Sequence, residues 1–586
     1  MKNFLKYLLA SIIGVLIASL LMFLILLGIV SGSTKDQVPD LKANSILVAE
    51  LDKTISERKN EMPFANFSPT SFQSEGSQGL DDIVRDIKRA KNDDRIKCLF
   101  LKLTDINAGM ASLEEIRTAI IDFKESGKPV IAQSDSYGQK TYYLASVADT
   151  IFLTPEGSVT FLGMRAEINF YKKALDKLGI DVQILRHGSY KGAVEPFMRQ
   201  DLSKENREQI ESFIGAIWNH VTGEISKARS IPVEELNRYA DELMIRTDKD
   251  ALQYRLVDKL AYYDEVLACL KGITGTTPDN DLESISLAKY NLVPEKEKTE
   301  PTRDKIAVVY AYGSVVDGDD GEGTISSERI SKAIRKARTD KSVKAIVFRV
   351  NSGGGSALAS EVIYREIKLA SEVKPVVASL GDVAGSGGYY IVCAADTIIC
   401  SPTTITGSIG VFGMIPNAEK LLEDKIGITT DVVRTNKHAD VMTIFRPLDQ
   451  PEKDYITAGI EQIYSTFVGH VAEGRSMSFE AVDAIGGGRV WSGTDGKDKG
   501  LVDLFGGLDY SIEVAAEMAG IENYHIKALP ELEDPFTQLM NQLSGSASVR
   551  MLRNSLGEEY RYIEFFNQIR NQSGIQALMP FTINIY

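Results

Sequence analysis

The sequence predicts an α/β fold built twice in tandem behind a single N-terminal transmembrane helix. Three observations predict it: a long internal repeat, alternation of strand and helix patterns within each copy, and one uncharged apolar run near the start. In the repeat, Pro129-Val-Ile-Ala matches Pro375-Val-Val-Ala. Tyr142-Tyr-Leu-Ala-Ser-Val-Ala-Asp-Thr-Ile-Phe-Leu-Thr-Pro matches Tyr389-Tyr-Ile-Val-Cys-Ala-Ala-Asp-Thr-Ile-Ile-Cys-Ser-Pro, and Leu256-Val-Asp matches Leu501-Val-Asp. The offsets are 246, 247 and 245 residues, so only short gaps separate the copies. A unit this long is a duplicated domain, not a solenoid repeat. The copies are expected at 44–270 and 304–530. Residues 1–43 form a cytoplasmic stub, anchor and short linker. Residues 271–303, rich in Thr, Pro, Glu and Lys, read as a linker, and 531–586 as a tail with a helix around 538–568.

Within the second copy, β-branched runs predict strands at 306–312, 345–350 and 376–379. Helical periodicity predicts helices at 328–338 and 359–370. Such alternation needs crossover connections, hence a largely parallel sheet. In the first copy, 60–79 is Ser/Pro/Gln-rich and is expected to be a loop.

Residues 7–30 carry no charge and are largely apolar. As a helix they span about 36 Å, enough for a hydrocarbon core of about 30 Å. A cleaved signal peptide is the competing reading. It expects a shorter apolar region and a small-x-small site, and Ile29-Val30-Ser31-Gly32 is a poor one. Lys2 and Lys6 precede the run, and short positive flanks stay in the cytoplasm. The expected location is therefore the inner membrane, single-pass, with the bulk of the chain on the periplasmic side.

The 586 residues are three or four domains' worth of chain. The net charge of −15 argues against a nucleic-acid partner, which needs a basic face. No CxxC occurs among the four cysteines, and no HExxH or GxxxxGK[ST] is present. Zinc and P-loop ATP chemistry therefore lack their ligands, and activity without ATP, cofactor or metal is expected.

Three segments of the second copy carry chemistry. Asn351-Ser-Gly-Gly-Gly-Ser356 follows a predicted strand, where glycine lets backbone N–H groups approach an oxyanion. Ala384-Gly-Ser386-Gly-Gly388 is close to the elbow that exposes a nucleophilic serine on a sharp turn. Thr406-Gly-Ser408-Ile-Gly-Val-Phe-Gly413 is a Gly-punctuated strand end. Aligned on the Tyr-Tyr pair, the first copy has Gln139 opposite Ser386 and Phe161 opposite Ser408, so it has no serine nucleophile. It has instead Lys191, in His187-Gly-Ser-Tyr-Lys-Gly-Ala-Val-Glu-Pro-Phe, opposite Ala439. His438, next to that position, is the rival base, because serine hydrolases commonly use histidine.

Four segments, Tyr190-Lys191-x-Ala-Val-Glu-Pro-Phe, Arg349-Val-Asn-Ser-x-Gly-Gly, Gly381-Asp-x-Ala-x-Ser386-Gly-Gly-Tyr and Ile405-Thr-Gly-Ser408-Ile-Gly, together resemble the signal peptide peptidase A (protease IV) family in its long two-repeat form. The resemblance covers nearly the whole chain. It implies Clp-protease/crotonase-like repeats and a Ser–Lys dyad assembled between them. Ser386 is then the nucleophile, Lys191 the general base, Ser408 the residue orienting the lysine, and the N–H groups of Gly354 and Gly387 the oxyanion donors. It also implies a bowl-shaped homotetramer that cleaves signal-peptide remnants and other apolar peptides. One departure is Gly353, where the family usually has proline. Two alternatives stay open: an acyl or thioester enzyme of the crotonase-like fold, and a non-catalytic membrane scaffold.

Overall fold

The fold is described from a computed structural model, which covers residues 38–59, 77–294, 302–319, 321, 323–532 and 574–579, with isolated positions between 6 and 21. Most of 7–30, residues 60–76 and the helix expected at 538–568 lie outside the described residues. Among the described residues no helix is long and apolar enough to cross a membrane.

The two copies build sheets of matching order. The first runs Lys259–Leu260, Thr150–Val159, Val130–Tyr137, Ile96–Lys102, Ser45–Glu50, Ser284–Ser286, all parallel. The second runs Leu504–Phe505, Thr397–Cys400, Val376–Gly385, Val343–Ser352, Lys305–Tyr312, His525–Leu529, again parallel. The central strands are buried on both faces. In Ile96–Lys102, Leu99 and Leu101 enter one core cluster while Cys98 and Phe100 enter another, as the two-residue period of a strand requires.

The repeated sequence segments perform the same tasks in both copies. Asp149 and Asp396 each accept the N–H that opens the third strand, from Val130 and Val376, at 2.8 Å. Asp258 and Asp503 accept from Ile151 and Ile398 at 2.8 and 2.7 Å. The phenols of Tyr142 and Tyr389 donate to the carbonyls of Leu256 and Leu501 at 2.9 and 2.8 Å. Each motif residue thus satisfies a buried backbone group that would otherwise be costly.

The segment 271–303 is not wholly a connector. Ser284–Ser286 joins the first sheet and Leu287–Tyr290 is a helix packed on it. Three residues are too few to show a period, which is why the sequence reads there as linker.

Among the joints that hold the copies together are these three. Asp181–Arg186 of the first pairs antiparallel with Phe412–Asn417 of the second. Gln209, on the helix Lys204–Arg229, accepts the N–H of Val490 at 2.9 Å. Arg349, fully buried, donates to Glu57 and Glu115 of the first copy, both at 2.6 Å. Burial pushes the Glu115 carboxyl up, and Arg349 opposes that. Removing the cation from such a pair leaves buried carboxylates uncompensated, at about 3–5 kcal/mol. Arg349→Leu is therefore expected to lower the denaturant midpoint of unfolding by that equivalent. A midpoint unchanged within error would show that the joint carries no such load.

Candidate active site

Ser386 stands on the turn between the strand Val376–Gly385 and the helix Gly387–Tyr390, with φ 54° and ψ −118°. A side-chain-bearing residue pays roughly 1–3 kcal/mol for such a conformation. The surroundings enforce it: the Ser386 N–H donates to Gly407 O, and the Ser386 carbonyl accepts from Tyr390 N–H, both at 2.8 Å. Glycine follows because there is no room for more. A Cβ on Gly388 would lie 2.4 Å from the Ser352 carbonyl oxygen.

Lys191 arrives from the other copy. The strand Asp181–Arg186, held on Phe412–Asn417, aims the chain across the joint, and Lys191 then caps the 3-10 turn Gly192–Val194. Arg186 Nη1 donates to the Lys191 carbonyl at 3.0 Å, and Gln209 Nε2 to the Tyr190 carbonyl at 3.0 Å. Glu195, fully buried, accepts from Ser203 N–H at 3.0 Å and from Asn206 Nδ2 at 3.1 Å. On the far side Gly488 permits close approach, since a Cβ there would sit 2.6 Å from the Lys191 backbone.

The two side chains meet. Lys191 Nζ lies 2.6 Å from Ser386 Oγ, 3.0 Å from the Ser408 carbonyl and 3.1 Å from Ser408 Oγ. A neutral amine uses all three directions: two N–H groups point at Ser408 and the lone pair faces the serine hydroxyl. The Ser408 hydroxyl donates in turn to the Gly488 carbonyl at 3.4 Å, leaving its oxygen free to accept from the lysine. Lys191, Ser386 and Ser408 are all fully buried. Among the described residues no carboxylate is bonded to Nζ. Burial alone holds the amine well below the ordinary lysine value.

Gly354, at φ 101°, and Gly387 face each other across this point. A Cβ on Gly354 would lie 2.7 Å from the Gly387 nitrogen. The Gly354 N–H donates to Ser352 Oγ at 3.0 Å, while that hydroxyl donates to the Gly313 carbonyl at 2.6 Å. Beside the site is a cleft of about 690 Å³ whose walls include Ala193, Phe197, Val383, Ile405, Phe412 and Met414.

The rival base is elsewhere: His438 Nδ1 is engaged by Glu452 at 3.0 Å, in a cluster with Arg446. The matching place in the first copy is sealed. Gln139 Oε1 accepts the N–H groups of Leu162 and Gly163, both at 2.7 Å, and Phe161 is buried against Tyr142 and Trp218. Sequence reasoning did not single out Gln209, Asn206, Arg186 or Gly488. Their roles depend on partners brought close by folding, and no local pattern marks them.

The sequence matches peptidase family S49 over residues 122–275 and 368–522. It is 38% identical over 477 residues to "Protease 4" of Salmonella typhi, covering 80% of this chain and 76% of that one. It is likewise 38% identical over 447 residues to "Protease 4" of Haemophilus influenzae, covering 75% and 72%. "Serine protease SPPA, chloroplastic" of Arabidopsis thaliana is 32% identical over 508 residues, covering 85% and 74%. These matches span both copies, and the chain belongs to peptidase family S49, with the serine proteases of the long, two-repeat signal peptide peptidase A (protease IV) form.

Proposed function

We propose that the chain is a membrane-anchored serine endopeptidase that uses Ser386 and Lys191 to cut apolar peptides, cleaved signal peptides among them. The observation that carries this reading is the 2.6 Å approach of Lys191 Nζ to Ser386 Oγ in a fully buried setting. Ser386 Oγ attacks the scissile carbonyl and its proton passes to Nζ, the form of general-base help a serine needs. Gly354 and Gly387 N–H groups stabilise the oxyanion. For that, Gly354 exchanges the Ser352 oxygen for the substrate's. Lys191 then returns the proton to the leaving amine, and a water, deprotonated by Lys191, releases the acyl-enzyme. Ser408 is a positioning residue that holds the amine on line.

The apolar side chains in the cleft wall, Phe197, Val383, Ile405, Phe412 and Met414 among them, support apolar substrates. Each repeat is read as Clp-protease/crotonase-like, residues 7–30 as the anchor, and the body as periplasmic. Assembly as a homotetramer is read from the family resemblance; the exposed apolar side chains of Ile426, Ile428, Val432, Val433 and Ile444 are candidates for the contact between copies. The test is turnover of a fluorogenic apolar peptide by the detergent-purified full chain. Hydrolysis in the presence of EDTA and absence of ATP is expected. A requirement for either would sink the mechanism.

A further inference from the structure

The strand that leads to Ser386 is not in uniform register with its neighbour. Val350 lies opposite Leu380, an offset of 30 residues, but Ser352 lies opposite Ala384, an offset of 32. Asn351 alone therefore faces Gly381, Asp382 and Val383. This is a bulge, a device that re-aims side chains beside active sites. Its effect on the site is direct. Carried on at an offset of 30, Gly354 would stand level with Ala384. At 32 it stands level with Ser386, and a Cβ on Gly354 would lie 2.7 Å from the Gly387 nitrogen. The bulge thus brings the two candidate oxyanion donors together at the serine.

A bulge leaves backbone groups without ladder partners, and here side chains supply them. Asn351 Oδ1 accepts the Val383 N–H at 3.1 Å, and Thr404 Oγ1 donates to the Gly381 carbonyl at 2.8 Å. The Asn351 amide is held in turn. Its Nδ2 donates to Glu57 Oε1 at 2.6 Å and to Asp382 Oδ2 at 3.4 Å. Carboxylates on one side and an N–H on the other fix the orientation of the amide. Glu57 belongs to the first copy and is buried, and its other oxygen accepts from Arg349 Nε at 2.6 Å. A Cβ on Gly381 would lie 2.6 Å from Glu57 Oε1, so the carboxylate plugs the bulge. Asp382 reaches back across the joint. Its carboxylate accepts the Ser112 N–H at 2.9 Å and the Ser112 hydroxyl at 2.7 Å. This caps the helix Met110–Lys124, whose own N-cap, Gly109, offers no side chain.

We propose that Asn351 and Glu57 are positioning residues for the oxyanion hole: the first copy, besides delivering Lys191, plugs the bulge with Glu57 and so sets where Gly354 stands relative to Ser386. This rests on the reading of Ser386 and Lys191 as the catalytic pair. Charge develops on the scissile carbonyl oxygen only as the serine adds, so a donor moved off line is missed chiefly in the transition state. The lysine is held by other contacts, from Arg186 and Ser408, and its ionisation is independent of the bulge. Asn351 borders the cleft, and Glu57 stands behind it. Glu57→Gln therefore separates positioning from contact with substrate. Glutamine turns an NH2 group toward one of the two donors that Glu57 accepts, Arg349 and Asn351.

The test compares the full chain in detergent with Asn351→Leu, Glu57→Gln and the double variant. For Asn351→Leu, kcat on the apolar fluorogenic peptide is expected to fall about 10²–10³-fold, the scale of one lost oxyanion donor, with KM little changed. Glu57→Gln should lose about tenfold or more in the same way, and the double variant no more than Asn351→Leu, because both act through one contact. A peptide aldehyde of the same sequence adds to the serine and places an oxyanion in the hole. Its affinity should fall by the same factor as kcat. The ionisation in the pH–rate profile should stay where the parent has it. An unchanged kcat in both single variants overturns the inference. So does a fall in kcat with aldehyde affinity intact, or losses that multiply in the double variant. If Asn351→Leu does not fold, the kcat, aldehyde and pH readings on Glu57→Gln decide. A parent without turnover, or one whose turnover survives Ser386→Ala, sinks the protease reading and this inference with it. A Ser386-dependent parent whose variants match it sinks this inference alone.

Discussion

Ser386→Ala is expected to lower kcat by about 10⁶-fold, the scale seen when a serine protease loses its nucleophile. The loss should be confined to chemistry. The serine hydroxyl makes no strong bond besides the one to Lys191, its contact to the Gly410 carbonyl being 3.5 Å, so the fold should survive. A second substitution separates nucleophile from backbone. At φ 54° and ψ −118° both serine and alanine are strained, whereas glycine is not. Ser386→Gly should be as inactive as Ser386→Ala yet more stable than it, by about 1 kcal/mol or more. Thermal unfolding of the two variants side by side measures this. Equal midpoints would mean that the elbow stores no strain. Residual turnover near the parent's level in either variant would place the nucleophile elsewhere.

Lys191→Met is expected to cut kcat/KM by at least the 10²–10⁴-fold that a general base supplies. Lys191→Arg should be equally poor, because guanidinium does not give up its proton. Since burial holds Lys191 well below the ordinary lysine value, the parent's turnover should fall tenfold per pH unit below a single ionisation. Above it a plateau should extend through pH values where a free lysine, with pKa about 10.4, is still charged. The same shift has a stability consequence of fixed sign. The unfolded chain binds this proton more readily than the folded one, so folding stability rises with pH from the folded pKa up to the ordinary lysine value. Lys191→Met should remove that slope and be at least as stable as the parent at neutral pH, having no amine to desolvate. Urea unfolding at several pH values reads both. A Lys191→Met protein that keeps full activity would assign the base to another group.

The extent to which this was readable before folding differs by residue. Ser386 was visible as a candidate because an elbow-like turn is local: small residues on both sides, strand before, helix after. The duplication was visible because its signature residues each satisfy a backbone group of their own copy, as Asp149 and Asp396 do. Lys191 was different. Its local sequence has no lysine-specific logic, and only the absence of a counterpart in the other copy, with the family resemblance, singled it out. The carboxyl partners of Arg349 lie 292 and 234 residues away. No period or motif links positions so far apart.

Composition, repeat and local turn chemistry thus pointed to the class of the fold, its duplication and, with the family resemblance, the candidate serine. Each of these is set by contacts within one copy, between residues near in sequence or repeated in register. Tertiary structure alone decided the rest: the distance from Lys191 to Ser386, the burial that lowers the pKa of the amine, and the strand Gly574–Leu578 lying between Gly354–Ser356 and Phe412–Asn417. The physical reason is that all three arise where separately encoded edges meet. A sheet edge accepts any strand that reaches it with free backbone groups, so which strand arrives is settled by packing across the joint and not by the local sequence of either side.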